Sequence, residues 1–234
     1  MSTTAWERLR NQSFTAQQSR AVDRLAIEKY GMHSLVLMEN AAIGCVQWLT
    51  RKFSAPQETT ILCGRGNNGG DGLAIARHLT VLGWPCTVIL FGPIARLSPD
   101  AQANYHILTT AAGLDVQVSD ETLHTGQLQQ LQQSSLVIDA MLGTGARGAP
   151  RAPLDQWIEA ANQCRAFRVA IDVPTGVDGD GEIMPACFFQ ADATLTFVTK
   201  KPAMDCSATS HCFGEIQVLP IGIPTQMMEE LTAG

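Results

Sequence analysis

A short apolar run, a glycine-rich turn and the start of an amphipathic helix follow one another in Ile61 to Leu79, ILCGRGNNGGDGLAIARHL, and this order constrains the chain more than any other stretch. It reads as a buried strand, a tight turn and a helix beginning near Asp71, the unit that opens a parallel α/β sheet. Gly64, Gly66, Gly69, Gly70 and Gly72 can either take φ > 0 or let another group touch the backbone. A helix that starts at such a turn points free N–H groups at whatever lies above it and favours anions, dinucleotide phosphate first among them. The spacing Gly64-x-Gly66-x-x-Gly69 alone is a weak signal. Asn67, Asn68 and Asp71 within the turn are less usual, and their oxygens suit sugar hydroxyls, an amide or a hard cation. The competing reading is that these side chains only bond their own backbone.

From Thr59 onward, short apolar runs alternate with helical segments, which predicts an α/β fold with a mostly parallel sheet. The predicted strands are Thr60–Cys63, Cys86–Phe91, Val116–Val118, Leu136–Ala140, Val169–Val173, Thr194–Val198 and Ile216–Leu219. Predicted helices include one opened by the capping box Thr15 to Gln18 with apolar face Ala21, Leu25, Ala26 and Tyr30, a second over Ser34 to about Phe53, and Ala101–Ala112 behind Ser98-Pro99. His124–Gln133 and Pro153–Cys164 supply two more. Within the second helix, Glu39 with Asn40 interrupts an apolar face, and the carboxylate is either a link to a neighbouring backbone or part of a site, the link being preferred. Its apolar residues Leu35, Leu37, Met38, Val46 and Leu49 serve the core or a homodimer contact, the core being preferred.

With 234 residues one large domain, 1–234, is expected, in which residues 1–14 form a flexible extension. The net charge of −6 argues against nucleic acid or an anionic membrane as partner and leaves a small molecule. Seven scattered cysteines without a C-x-x-C pair, no signal-type N-terminus and no long apolar run indicate reduced thiols in a cytoplasmic protein. Cys206, His211 and Cys212 lack the second half of a zinc site.

Two more strand ends carry acids before glycine-rich loops: Asp139, ahead of Gly143-Thr144-Gly145-Ala146-Arg147-Gly148, and Asp172, ahead of Pro174-Thr175-Gly176. In an open parallel sheet the carboxyl ends of the strands border the ligand crevice, so Asn67, Asn68, Asp71, Asp139, Asp172 and Thr175 are predicted to converge on one edge.

The segments LMENAA (Leu37–Ala42), CGRGNNGGDGLAIARHL (Cys63–Leu79), VIDAMLGTGARG (Val137–Gly148), AIDVPTGVDGDG (Ala170–Gly181) and ATLTFVTKKPA (Ala193–Ala203) together resemble the NAD(P)HX epimerases, also known as YjeF N-terminal domains, over Thr15 to Ile223. The resemblance implies a Rossmann-like three-layer αβα sandwich and an isomerase of nicotinamide cofactor repair. Such an enzyme interconverts the R and S epimers of hydrated NADH or NADPH (NADHX and NADPHX) for a separate NAD(P)HX dehydratase. It implies substrate binding by Asn67, Asn68, Gly69, Gly70, Asp71, by Gly143, Thr144, Gly145, Ala146, Arg147, Gly148, Ala149, and by Asp172. It also implies a potassium ion as cofactor, held by Asn68, Asp139 and Thr175, where the family usually has serine in place of Thr175. No dehydratase domain is expected beyond Gly234. Asp172 is the expected acid/base, with burial raising its pKa.

The alternative is a binding or scaffold protein, nucleotide- or RNA-related, that keeps the fold without the chemistry. It should have lost its acids, whereas Asp71, Asp139 and Asp172 remain. An NAD-dependent dehydrogenase would need an acid at the end of the second strand, and Leu90-Phe91-Gly92-Pro93 has none.

Overall fold

A computed structural model describes residues 5–119, 123–181, 183–224, 226, 227 and 230. Helix α1 (Ala5–Leu9), helix α2 (Ala16–Arg24) with a π-helical turn over Leu25–Lys29, and helix α3 (Ser34–Lys52) precede the first strand, β1 (Thr59–Cys63). The chain continues through α4 (Asn67–Val81), β2 (Cys86–Phe91), α5 (Pro99–Thr110), β3 (Val116–Ser119), α6 (Thr125–Gln133) and β4 (Leu136–Ala140). It ends with α7 (Leu154–Gln163), β5 (Phe167–Ile171), β6 (Ala193–Phe197), the short α8 (Pro202–Asp205) and β7 (Glu215–Leu219).

The strands form one sheet in the order β3-β2-β1-β4-β5-β6-β7, with every neighbouring pair parallel. The chain runs outward from β1 through β2 and β3, then returns to β4 on the other side of β1. That reversal opens a crevice at the carboxyl ends of β1 and β4. Side chains alternate across the sheet as period-2 geometry requires. Ile61, Cys63, Val88, Leu90 and Ile138 face one layer, where Cys45, Leu49, Leu73, Ile75 and Leu108 of α3, α4 and α5 meet them. Leu62, Ile89, Val137 and Ala170 face the other, against Leu131 of α6 and Trp157 and Ile158 of α7. The result is the expected αβα sandwich, buried on both faces as a parallel sheet must be.

Several boundaries differ from the sequence reading, and the differences matter at the site. Helix α4 begins at Asn67 rather than near Asp71, so Asn67, Asn68, Gly69 and Gly70 are its first turn. The glycines of this segment do not take φ > 0; Gly64, Gly69, Gly70 and Gly72 are there because neighbouring atoms approach them too closely for a side chain, whereas Gly66 stands in open space. A Cβ on Gly69 would lie 1.8 Å from Gly64 O, and one on Gly64 would lie 1.8 Å from Met141 O. Gly69→Ala is therefore expected to destabilise the fold by about 3 kcal/mol or more, since neither backbone can move aside. Urea unfolding tests this, with Gly145→Ala as a neutral control because no atom lies within 4 Å of its added carbon.

Of residues 1–14, expected to be a flexible extension, 1–4 lie outside the described residues, and the remainder is anchored at Leu9 and Phe14. Leu9 and Phe14 are buried beside Val22, Ala26 and Leu37, and Phe14 N donates to Lys200 O at 2.9 Å. The capping box of Thr15 with Gln18 forms as expected. Glu39 links α3 to α4 through the side chains of Arg77 and His78, not through backbone, and Asn40 Nδ2 donates to Ile221 O at 3.0 Å. Leu37, Met38, Val46 and Leu49 are core, while Leu35 is exposed. All seven cysteines are free. Among the described residues no helix is long and apolar enough to cross a membrane.

Candidate active site

A cavity of about 760 Å³ lies at the carboxyl edge of β1, β4 and β6, a size usual for small-molecule sites. The first turn of α4 supplies Asn67, Asn68 and Asp71, and the loop after β4 supplies Gly143, Thr144, Gly145 and Ala146. Asp172 and Lys201 close it from below, and Asp23 of α2 and Phe14 cover it from the N-terminal side. Three of the predicted strand ends thus do meet on one edge. Gly143 allows the loop to pass between two of them: a Cβ there would sit 3.1 Å from Asp172 Oδ2 and 3.3 Å from Asn68 Cβ.

Other residues predicted for the site lie around this cavity rather than on it. Gly69 and Gly70 are buried beneath the turn. Arg147 is exposed and pairs with Asp178 at 2.7 Å and Asp180 at 3.0 Å, tying its loop to the next one. Gly148 and Ala149 line a separate 220 Å³ cavity that also touches Thr175.

Asp172 lies one residue beyond β5, not at the end of a longer strand, and has φ 66. This left-handed backbone turns its carboxylate into the cavity. Thr144 donates to Oδ2 from its backbone N at 2.9 Å and from Oγ1 at 2.6 Å, and Lys201 Nζ lies 3.3 Å from Oδ1. Burial alone would raise the carboxyl pKa. The Lys201 charge, with the Thr144 hydrogen bonds, outweighs burial and holds it below the ordinary carboxylate value. The expectation of a raised pKa is therefore corrected: Asp172 is a carboxylate at neutral pH.

Lys201 is the group that sequence reasoning missed. Only 2% exposed, it donates to Thr196 Oγ1 at 2.9 Å, Thr199 O at 3.2 Å and Phe197 O at 3.3 Å. Both carbonyls flank Val198, a β-branched residue at φ 66, which is a costly conformation that persists only where its surroundings enforce it. The TKKPA segment carried a signal for Lys201, a lysine continuing directly from an apolar strand. Asp23 had none, because its helix reads as an exposed face.

The remaining carboxylates of the cavity differ from Asp172. Asp71 is pushed well above its usual range, first by burial and then by the charges of Asp172, Asp23 and Asp100. Asp23, exposed on its outer side, is raised to about 6 by the desolvation of its carboxyl against the cavity wall and by Asp172, with Lys201 opposing. The native protein thus binds a proton at Asp23 between about pH 4 and 6 that the unfolded chain has released, so stability falls as pH rises through that window. Asp23→Asn is expected to leave stability unchanged at pH 4 and to raise it at pH 8 by about 1 kcal/mol, after discounting for the exposure of this carboxylate. Thermal melts at the two pH values check this.

Asn68, Asp139 and Thr175, expected to hold a cation, gather around the peptide of Leu142. Asn68 Nδ2 donates to Leu142 O at 3.0 Å, and Leu142 N donates to Thr175 Oγ1 at 3.1 Å. Asp139, fully buried, accepts from Thr175 N and Thr175 Oγ1, both at 2.7 Å, and from Met141 N at 3.1 Å. Burial raises its pKa to about 6 against these bonds. Asn68 Oδ1 is buried without a hydrogen-bond partner, although its own amide nitrogen is fixed by Leu142. The orphan Asn68 oxygen, the Leu142 carbonyl, the Thr175 hydroxyl and the Asp139 carboxylate, linked through the Leu142 peptide, are oxygen donors of the kind a hard cation takes.

The family described as "YjeF-related protein N-terminus" matches residues 34–203. A protein of Pirellula staleyi named NAD(P)H-hydrate epimerase is 38% identical over 94% of this chain and 96% of its own length. One of the same name from Rhodopirellula baltica is 36% identical over 93% and 87%. A bifunctional NAD(P)H-hydrate repair enzyme of Pyrobaculum aerophilum is 37% identical over 95% of this chain, which spans 44% of that longer protein. The crystal structure of yeast ynu0 superposes with a TM-score of 0.79 at 21% identity, covering 94% of this chain and 93% of that one, a likeness of fold.

Proposed function

This chain belongs to the YjeF-related N-terminal family, and from that premise we infer that it is an NAD(P)H-hydrate epimerase, an isomerase of nicotinamide cofactor repair. The observation that carries the chemistry is the Asp172–Lys201 pair at the floor of a cavity bounded by the α4 turn. Epimerisation at a carbon bearing a hydroxyl requires a bond at that centre to break and re-form, and a proton must be moved in each direction. Asp172, ionised and fixed by Thr144 and Lys201, accepts the proton of the substrate hydroxyl and returns it after the ring has re-formed on the other face. Lys201 stabilises the ionised state between turnovers, and its own donors are committed to Thr196, Phe197 and Thr199. Asp71, on the same cavity wall and with its pKa pushed up by burial and by the neighbouring carboxylates, is the group that donates where Asp172 accepts. Two carboxyls whose surroundings drive their pKa values apart make an acid and a base. The start of α4 at Asn67 and Asn68, which line the cavity, turns the positive end of the helix toward the substrate's diphosphate.

The same reading includes a potassium ion held by Asn68, Asp139 and Thr175, supplying charge that balances Asp139 and stiffens the two loops that carry Thr144 and Asp172. Replacing potassium by N-methylglucammonium is expected to lower the melting temperature, and Asn68→Ala to abolish that dependence. A melt indifferent to potassium in the wild type counts against the ion. A separate dehydratase that takes one epimer is the functional partner. The repair enzymes of roughly twice this length support that coupling, being named bifunctional. The activity is tested by adding the protein to (R)-NADHX with an S-specific dehydratase. Accelerated return of NADH is expected, and an unaltered rate refutes the reading.

A further inference from the structure

The cavity is not uniform in charge. Asp23, Asp71 and Asp172 lie around its floor and N-terminal wall, whereas Arg65 and Arg96 stand at the side bounded by β1 and β2. Both arginines are exposed, both line the cavity, and neither forms an ion pair or hydrogen bond through its guanidinium among the described residues. In a chain of net charge −6, two arginines at one mouth that pair with no acid among the described residues are available to a ligand. The segments that carry them are also joined. Arg65 lies against Gly92, whose missing Cβ would be 2.9 Å from Arg65 Cδ, and Ser98 N donates to Arg65 O at 2.8 Å, so the loop that carries Arg96 is tied to the turn after β1.

This position has a specific meaning in a sheet of this topology. The loop after the strand next to β1 faces the adenosine ribose of a dinucleotide laid across the switch point. An acid there binds the free 2′-hydroxyl and repels a 2′-phosphate, while an arginine accepts the phosphate. Here β2 ends in Leu90-Phe91-Gly92-Pro93 without an acid, and Arg96 follows. Asp100 lines the same cavity and, among the described residues, forms no salt bridge with either arginine. We propose that Arg65 and Arg96 form a subsite for the 2′-phosphate of the adenosine ribose, so that the enzyme favours the hydrate of the phosphorylated coenzyme, NADPHX, over NADHX. The proposal rests on the epimerase reading, and it orients the substrate: anionic adenosine end at the arginines, uncharged hydrated ring at Asp172.

Two measurements test it. Calorimetric titration of the wild type with adenosine 2′,5′-bisphosphate and with adenosine 5′-monophosphate is expected to show the bisphosphate bound about tenfold or more tightly. In R65Q/R96Q that ratio should fall to near one, and the ratio of kcat/KM for NADPHX to that for NADHX should fall with it. Both side chains are exposed, so the variant is expected to fold, and its melting curve checks that it does. Equal binding of the two nucleotides by the wild type overturns the proposal, as does a preference that survives in R65Q/R96Q. A protein that shows the nucleotide preference and loses it in the variant, but epimerises neither hydrate, keeps the subsite and refutes the enzymatic reading instead.

Discussion

Asp172→Asn is expected to lower kcat by about 10²-fold or more while KM changes little. The amide keeps the volume of the carboxylate and can still accept from Thr144, but it cannot take up a proton. Because Lys201 holds the native carboxyl below its ordinary pKa, the wild-type base is ionised throughout the neutral range, and the loss in Asp172→Asn should be the same at pH 6 and pH 8. A merely structural role would instead give a loss that tracks the stability of the variant. Steady-state kinetics at the two pH values, with a melting curve beside them, separate these outcomes. Near-normal kcat would make Asp172 a binding residue and pass the proton to another group or to water.

Lys201→Met is expected to cost about 3–5 kcal/mol of stability at neutral pH, because it leaves the Asp172 carboxylate in the cavity floor without its cation. Removing both charges together should cost less than the sum: in Asp172→Asn/Lys201→Met no ion is left uncompensated, and a double-mutant cycle by urea unfolding should show coupling of about 1 kcal/mol or more. The sign with pH follows from the lowered pKa of Asp172. Its contribution is fully present above the ordinary carboxylate pKa of 3.8 and is lost as pH falls through the lower folded value, so wild type and Lys201→Met should converge toward acid. Additive single effects, or a gap that widens in acid, would show that the pair is not coupled.

The parts of this site that were legible in sequence are those encoded locally. The apolar run Ile61–Cys63, the glycines behind it and the acid-then-glycine pattern after β4 and β5 place three loops on one sheet edge, because parallel strands must all end there. The start of α4 was misplaced for a physical reason: Gly69-Gly70 is a poor helix sequence, and tertiary contact with Gly64 and Met38 overrides propensity. The electrostatics were not legible. Whether burial or a cation dominates at Asp172 depends on Lys201, which reaches it from β6 through a backbone reversal at Val198 that no residue type announces. Asp23 arrives from α2, far away in the chain, and only the packing of residues 5–14 and α2 over the cavity brings it there. The close approach of Asn68, Asp139 and Thr175 follows from the resemblance, while the orphan Asn68 Oδ1 that gives it a physical basis is visible only in three dimensions.

The most direct measurement is chromatographic separation of the two hydrate epimers over time, with purified protein and no other enzyme present. Starting from the pure R form, S is expected to appear fast up to a fixed ratio, the same ratio when starting from pure S, at a rate proportional to protein concentration. Interconversion no faster than in buffer alone, from either epimer, would contradict it.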